Sequence, residues 1–235
     1  MTDFDKLLLS FFSKQYENEI NESLFIRSYR MNDDEIRSYI QGLIQIPMSK
    51  YIEYVISNCS ASYITYQDVV QYSSFEDAST GICKILSSDD NDGLTNIEVG
   101  SALLNDGKVR KDGALRKYGE NHAKTGMELG LVQNCYSRYY LTCLGMIFNQ
   151  LDDSNKIELI RRTILRNRFF QKIIKKSQLG PVSLIKEMSF LSDSTAKRRM
   201  PNVRNLYTMI YGTEQDVHYY LRNVFINDIP QIIAQ

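Results

Sequence analysis

Ser194, Thr195, Arg198, Arg199, Asn202 and Asn205 are the residues best suited to chemistry in this chain. They fall within one stretch, Leu191–Ile210, and are spaced so that several share one side of a helix. An arginine fork fits the O6 and N7 acceptors of guanine, and an asparagine amide fits N6 and N7 of adenine. These types at these positions therefore predict direct readout of base edges. Lys172, Lys175, Lys176, Lys197 and Arg204 stand around them and suit phosphate oxygens, which orient a protein without reporting sequence.

The surrounding pattern supplies the element that carries them. Ala196, Met200, Val203, Tyr207 and Ile210 recur at steps of four, three, four and three, which marks one buried helical face. Thr195, Arg198, Asn202 and Asn205 take the opposite side, with Lys197, Arg199 and Arg204 flanking. Ser192 or Asp193 supplies the N-cap. Pro181–Met188 reads as a preceding helix across a short turn, which makes the pair a helix-turn-helix. Pro201 interrupts this pattern. It removes a backbone donor and disfavours helical geometry at Met200, so the expectation is a kink or two helical pieces. The alternative to readout is a basic, solvated face on an ordinary helical domain.

Charge is distributed unevenly along the chain. The 235 residues carry a formal net charge of zero. Residues 1–92 hold fifteen acids against seven bases, a net of −8, and residues 161–211 hold twelve bases against two acids, a net of +10. An acidic front and a basic rear predict a phosphate-binding surface in the rear. Mutual attraction between the two parts would produce the same imbalance. The hydrophobic share of 43% is that of a globular chain with a sizeable core.

The other chemistries sought are mostly absent. Cys59, Cys83, Cys135 and Cys143 form no C-x-x-C pair, and His122 and His218 are too scattered for a zinc pattern. No metal and no cofactor is expected. Reduced thiols and the lack of a basic segment before Leu7–Phe12 suit a cytoplasmic protein. No run approaches ~20 apolar residues, so no membrane span is expected. Asp106-Gly-Lys108 has the letters of a nuclease acid-x-lysine motif, but it sits in a glycine-containing loop rather than on a strand. It reads as a surface loop, and no catalytic residue is assigned. The sixteen tyrosines fall mostly at helical spacing beside Ile, Leu or Val and read as packing residues.

The elements are mainly helical. A helix, or a helix pair broken near Asn18–Asn21, is expected from Asp3 to about Phe25, and further helices from Asn32–Glu35 onward with Ile36, Tyr39, Ile40 and Leu43 inward, and after Pro47. Thr65–Tyr72 and Phe75–Leu86 read as another helix pair. Ser87–Gly93 is the best linker. A helix then starts at Thr95 or Asn96, and a loop from Asn105 to Gly113 follows. A long helix from Ala114 to Glu128 places Leu115, Tyr118, His122 and Leu129 inward. Leu131–Thr142 reads as two short strands about a turn near Asn134–Ser137, and Leu141–Leu151 returns to helix. Lys108, Arg110, Lys111, Arg116, Lys117 and Lys124 are the phosphate candidates of this region, offset by Glu120 and Glu128. Ser154–Arg166, Phe169–Lys176 and a tail from Thr213 complete the helices. Tyr219, Tyr220, Leu221, Val224, Phe225 and Ile229 are expected to pack in that tail.

The segments Leu94–Leu104, Ala123–Val132 with its L-G-L-V ending, and Tyr139-Tyr-Leu-Thr-Cys-Leu-Gly145 follow one another in order. Arg166-Asn-Arg-Phe-Phe170 and Ser192–Arg199 extend the series. Together, over roughly 93–212, they resemble the tandem winged-helix region that accompanies some prokaryotic type II restriction endonucleases and related defence proteins. That resemblance implies sequence recognition on duplex DNA. The predicted architecture is accordingly mainly α, with tandem winged-helix or helix-turn-helix units and a small β-ribbon wing. Its expected domains are an acidic helical domain over 1–92, a winged helix over 93–152, and a basic helix-turn-helix domain with closing helices over 153–235. The front domain would serve homodimerisation or a partner protein. The expected function is sequence-specific double-stranded DNA binding, with no catalysis assigned to this chain. Two alternatives are a magnesium-dependent type II endonuclease whose motif is unrecognised, and a winged-helix protein-interaction scaffold.

Overall fold

A computed structural model describes residues 33–58, 63–88 and 92–225. The expected helix over 3–25, Asn32, Cys59 and Ile229 lie outside these residues. The architecture is mainly helical, with one small antiparallel two-stranded sheet and a second, parallel pair.

The chain forms two compact units. Of the described residues, the first unit takes 33–45, 71–88 and 92–160, and the second takes 46–58, 63–70 and 161–225. The expected companion domain over 1–92 is therefore corrected. Its described part is shared between the two units, because Met48, Tyr51, Ile52 and Val55 are buried in the core of the second. Linear charge bias gave no sign of this division, because burial follows apolar residues rather than net charge.

In the first unit, α1 (Asp33–Gln45) buries Ile40 and Leu43 and packs on α6 (Cys143–Gln150). The expected helix over 65–72 does not form. Only a 3-10 turn, Tyr66–Asp68, is present there, and it belongs to the second unit. A π-helical turn, Asp77–Gly81, runs into α3 (Ile82–Ser87) and buries Ala78, Ile82, Cys83 and Leu86. Then come α4 (Asn96–Leu103), α5 (Asp112–Glu128) and a hairpin of β1 (Val132–Cys135) with β2 (Arg138–Leu141). Thr95 starts α4 through a reciprocal capping box, in which the Glu98 carboxylate accepts from the Thr95 amide at 2.7 Å.

Helices α4 and α5 can lie close because glycines face backbone at their crossing. A Cβ on Gly119 would sit 2.0 Å from the Asn96 carbonyl oxygen, and one on Gly100 would sit 2.0 Å from that of Leu115. Gly130, at φ +72, ends α5 in the left-handed conformation. The Leu131 amide then donates to the Gly126 carbonyl and the Gly130 amide to that of Met127, both at 2.9 Å.

Thr142 clasps the hairpin to this helix end. Its amide donates to the Leu131 carbonyl at 3.0 Å, and its hydroxyl donates to the Gly130 carbonyl at 2.7 Å. The same hydroxyl accepts the Gly145 amide at 3.0 Å and caps α6. The L-G-L-V segment and the Y-x-L-T-x-x-G segment are thus tied together in one hydrogen-bonded joint. At the hairpin tip Tyr136 and Ser137 adopt φ of 50° and 65°, the handedness that a two-residue turn between twisted strands requires. Leu94 pairs with Tyr139 as a single bridge on the other side of β2.

In the second unit, α2 (Met48–Asn58) packs on α8 (Arg168–Ser177) and α11 (Gln215–Leu221). The boundary between the units falls between Ile160 and Arg161, inside α7 (Asp153–Ile164). Asn167 caps α8, its side-chain oxygen accepting the Phe169 amide at 2.9 Å. Pro181–Met188 is not a full helix. It divides into β3 (Val182–Ser183) and a single turn, α9 (Leu184–Glu187), because Val182 pairs in parallel with Val224 of β4 (Val224–Phe225).

The longest helix among the described residues is α10 (Asp193–Tyr211), which runs unbroken through Pro201, so the expected division into two pieces is corrected. The Pro201 residue is solvent-exposed and Met200, Val203, Leu206, Tyr207 and Ile210 are buried, so packing holds the helix on the side away from the proline. Of the expected tail residues, Leu221 and Val224 are buried, whereas Tyr219 is 60% exposed.

Candidate nucleic-acid interface

Helix α10 is built by its cap and its buried stripe. Ser192, not Asp193, is the N-cap, and its oxygen accepts the Thr195 amide at 3.4 Å. Ala196, Met200, Val203, Tyr207 and Ile210 are all buried, as the spacing predicts. Leu206 joins them, which makes the buried stripe broader than those five residues. The broader stripe takes Asn202 with it, one helical turn before Leu206 and two before Ile210.

The exposed residues of α10 beyond Asp193 are Ser194, Lys197, Arg198, Pro201, Arg204, Asn205 and Thr208. Their spacing of three, one, three, three, one and three makes one continuous face. No carboxylate follows Asp193 in this helix. Of the six candidate readout residues, Ser194, Arg198 and Asn205 lie on this face, and Thr195 is half-buried beside it. Pro201 and Thr208 also lie on this face, although the sequence named only Ser, Thr, Asn and basic residues there; each follows Arg198 or Asn205 by three positions.

Two residues leave the readout set. Asn202 is buried. Arg199 is half-buried, and one of its terminal nitrogens donates to the carbonyls of Tyr66 and Val69. The guanidinium holds the 3-10 turn in place, and its carbon lies 6.0 Å from the Tyr66 ring centre. Burial, with Arg198 adjacent in sequence, lowers its pKa below the usual arginine value. Counting charges along a sequence cannot separate such an arginine from its exposed neighbour.

The basic rear is thinned in the same way. Arg161 and Arg162 are buried and hydrogen-bonded to backbone carbonyls, Arg161 to Met209 and Arg162 to Ile46. Lys172 and Lys176 both approach the Glu187 carboxylate, Lys172 at 3.8 Å. Lys175 is exposed at the end of α8, and Lys197 and Arg204 are exposed on α10.

Several cations of the first unit are ion-paired. Arg110 forks onto Asp106 at 2.5 and 2.7 Å, and Lys108 lies 3.6 Å from the same carboxylate. The Arg110 hydrogen bonds hold the Asp106 carboxyl far below its usual range. The acid of Asp106-Gly-Lys108 is thus committed to a neighbouring guanidinium rather than presented to a metal. Lys117 and Lys124 share Glu120 at 3.1 and 2.5 Å. Lys111 and Arg116 are exposed at the start of α5.

The histidine within α5 has a structural role. His122 is buried, its Nδ1–H donates to the Tyr118 carbonyl at 2.7 Å, and its Nε2 accepts the Ser73 and Ser74 amides at 3.3 and 3.2 Å. Burial lowers its pKa, which favours the neutral ring that this pattern needs. Cys83 is buried and its thiol is pushed up to about 12, so it is a poor nucleophile. Among the described residues no group of three or more His, Cys, Asp or Glu is placed to hold a metal ion. No helix among them is long and apolar enough to cross a membrane.

Helix α10 exposes Lys197, Arg198 and Arg204, and α8 exposes Arg168, Lys175 and Lys176. No family model, curated protein or solved structure matches this chain.

Proposed function

We propose that this chain is a sequence-specific duplex-DNA-binding protein and that α10 enters the major groove. The observation that carries this reading is the exposed face of α10, where Lys197, Arg198 and Arg204 alternate with Ser194, Asn205 and Thr208 and no carboxylate follows Asp193. Arg198 and Asn205 supply base contacts, with Ser194 and Thr195 at the helix start. Lys175, Lys197 and Arg204 contact phosphate.

Helix α10 is preferred to α5 because it carries no acid after Asp193, whereas α5 carries Glu120 and Glu128 beside its cations. The first unit is read as a winged helix. Its order of helix, bridging Leu94, helix, helix and hairpin supports that assignment. The order α8, β3, α9, α10 in the second unit supports a related helix-turn-helix. The motif resemblance implies the target-recognition part of a restriction or defence system, and that setting forms the narrower part of the proposal.

Fluorescence anisotropy with labelled random duplex across a salt series tests the reading. Binding should weaken with a log–log slope of roughly −3, the value for about three phosphate contacts. Absence of binding at low salt would sink it and leave a protein-interaction scaffold. Incubation of plasmid with the pure chain and Mg²⁺ should leave the plasmid uncut; cleavage would instead assign the endonuclease.

A further inference from the structure

Pro201 occupies the ninth position of a nineteen-residue helix and is exposed to solvent. A helix interior tolerates no residue less well. The proline lacks an N–H, so the Lys197 carbonyl loses its usual helical donor, and the ring crowds the preceding turn. The buried stripe that holds the helix lies on the other side, so core burial is no reason for a proline at this position. Violations of local preference that packing does not explain tend to fall at functional positions.

The position has a specific chemical setting. Lys197 and Arg198 lie one turn before Pro201 on the exposed face, and Arg204 and Asn205 lie one turn after it. The pyrrolidine ring is the one apolar side chain on this face between Ser194 and Thr208. It is rigid and loses almost no side-chain entropy when buried. In the major groove, thymine alone among the four bases presents a methyl group. Cytosine presents an amino donor at the neighbouring position, which a proline ring cannot accept.

We infer that Pro201 is a specificity-determining residue that packs against the 5-methyl group of a thymine in the target. Arg198 and Asn205 hydrogen-bond base pairs on either side of it. Four residues of helix rise about 6 Å, so Pro201 and Asn205 address positions one to two base steps apart. This rests on the duplex-binding reading of α10 and adds the identity of one base.

The test uses the full chain. A preferred target is selected from a random duplex library, and each thymine is then replaced singly by deoxyuridine, which removes only the methyl group. One replacement should weaken wild-type binding by about three- to fourfold, the effect of one buried methyl. Pro201→Ala should bind that thymine and uracil duplex equally, keep the wild-type salt slope, and melt at a higher temperature than wild type. The higher melting temperature separates lost discrimination from lost folding. Full discrimination retained by Pro201→Ala, or a wild type indifferent to every replacement, would overturn the inference while the duplex reading stands. No binding to any duplex would overturn the duplex reading, and this inference with it.

Discussion

Arg161 grips Glu214 with both terminal nitrogens of its guanidinium, at 2.6 and 2.8 Å, while its Nε donates to the Met209 carbonyl at 2.9 Å. The pair closes the C-terminal end of α10, where unbonded carbonyls favour a cation. Gly212 is required beside it. The residue sits at φ +53, and a Cβ there would lie 2.3 Å from the Arg161 Nη2.

This contact gives the first prediction. Arg161 holds the Glu214 carboxyl down at about 2, against an ordinary value of 4.5. The stabilisation is fully present above pH 4.5 and is lost as pH falls toward 2. Glu214→Gln should cost about 1–2 kcal/mol at neutral pH, a figure reduced for the partial exposure of Glu214. Urea titration at neutral and acid pH checks it, and the variant and wild type should converge at the acid end.

His122 predicts a pH effect in the opposite part of the scale. Its neutral ring accepts two backbone amides, and burial lowers its pKa below 6.5. Its contribution is complete above pH 6.5 and declines as pH falls below that value, because the unfolded chain then binds the proton more readily. The Asp77 carboxylate opposes the shift without reversing it. His122→Asn should lower stability at neutral pH and flatten the slope of denaturation midpoint between pH about 7.5 and about 5. An unchanged slope would rule out this role.

The α4–α5 crossing separates two glycines on one helix. Gly119→Ala places a methyl group 2.0 Å from the Asn96 carbonyl oxygen, so the helices must part. A loss of about 1–3 kcal/mol is expected. Gly113, in the first turn of α5, has no atom within 4 Å of an added Cβ. Gly113→Ala should therefore stabilise by up to about 1 kcal/mol. Thermal melts of the two variants should shift in opposite directions.

Arg198 and Arg199 are adjacent but should separate by assay. Arg198→Ala should leave the melting temperature unchanged and cost about 1–3 kcal/mol at one base pair of the target. Arg199→Ala should lower stability by about 1–3 kcal/mol by releasing the Tyr66 and Val69 carbonyls. Lys175→Ala should weaken binding to all sequences alike. Equal losses on every sequence for Arg198→Ala and Lys175→Ala would refute the division between readout and phosphate contact.

Local signals were legible where neighbouring residues decide the outcome. Thr95 and Glu98 announce the start of α4, and Leu131–Thr142 reads as the hairpin that forms. The spacing of Ala196, Met200, Val203, Tyr207 and Ile210 announces the buried side of α10. The L-G-L-V and Y-x-L-T-x-x-G segments carry the Gly130, Thr142 and Gly145 joint in their letters. In each case the bonded partners lie within a few residues or across one turn, so composition and order suffice.

The remainder was decided by contacts distant in sequence. Residues 65–72 lack a helix because only the Tyr66–Asp68 turn forms there, held by Arg199 and by the Asn167 amide, which donates to the Asp68 carbonyl. Residues 46–58 and 63–70 join 161–225 in a second unit because burial of Tyr51, Val69 and Phe169 has no regard for chain order. The sequence alone determined which residues were charged and which helices could form. Tertiary structure decided which polar and charged side chains reached solvent, because Asn202, Arg161 and Arg162 are buried and Arg199 is half-buried, while Arg198 and Asn205 are exposed.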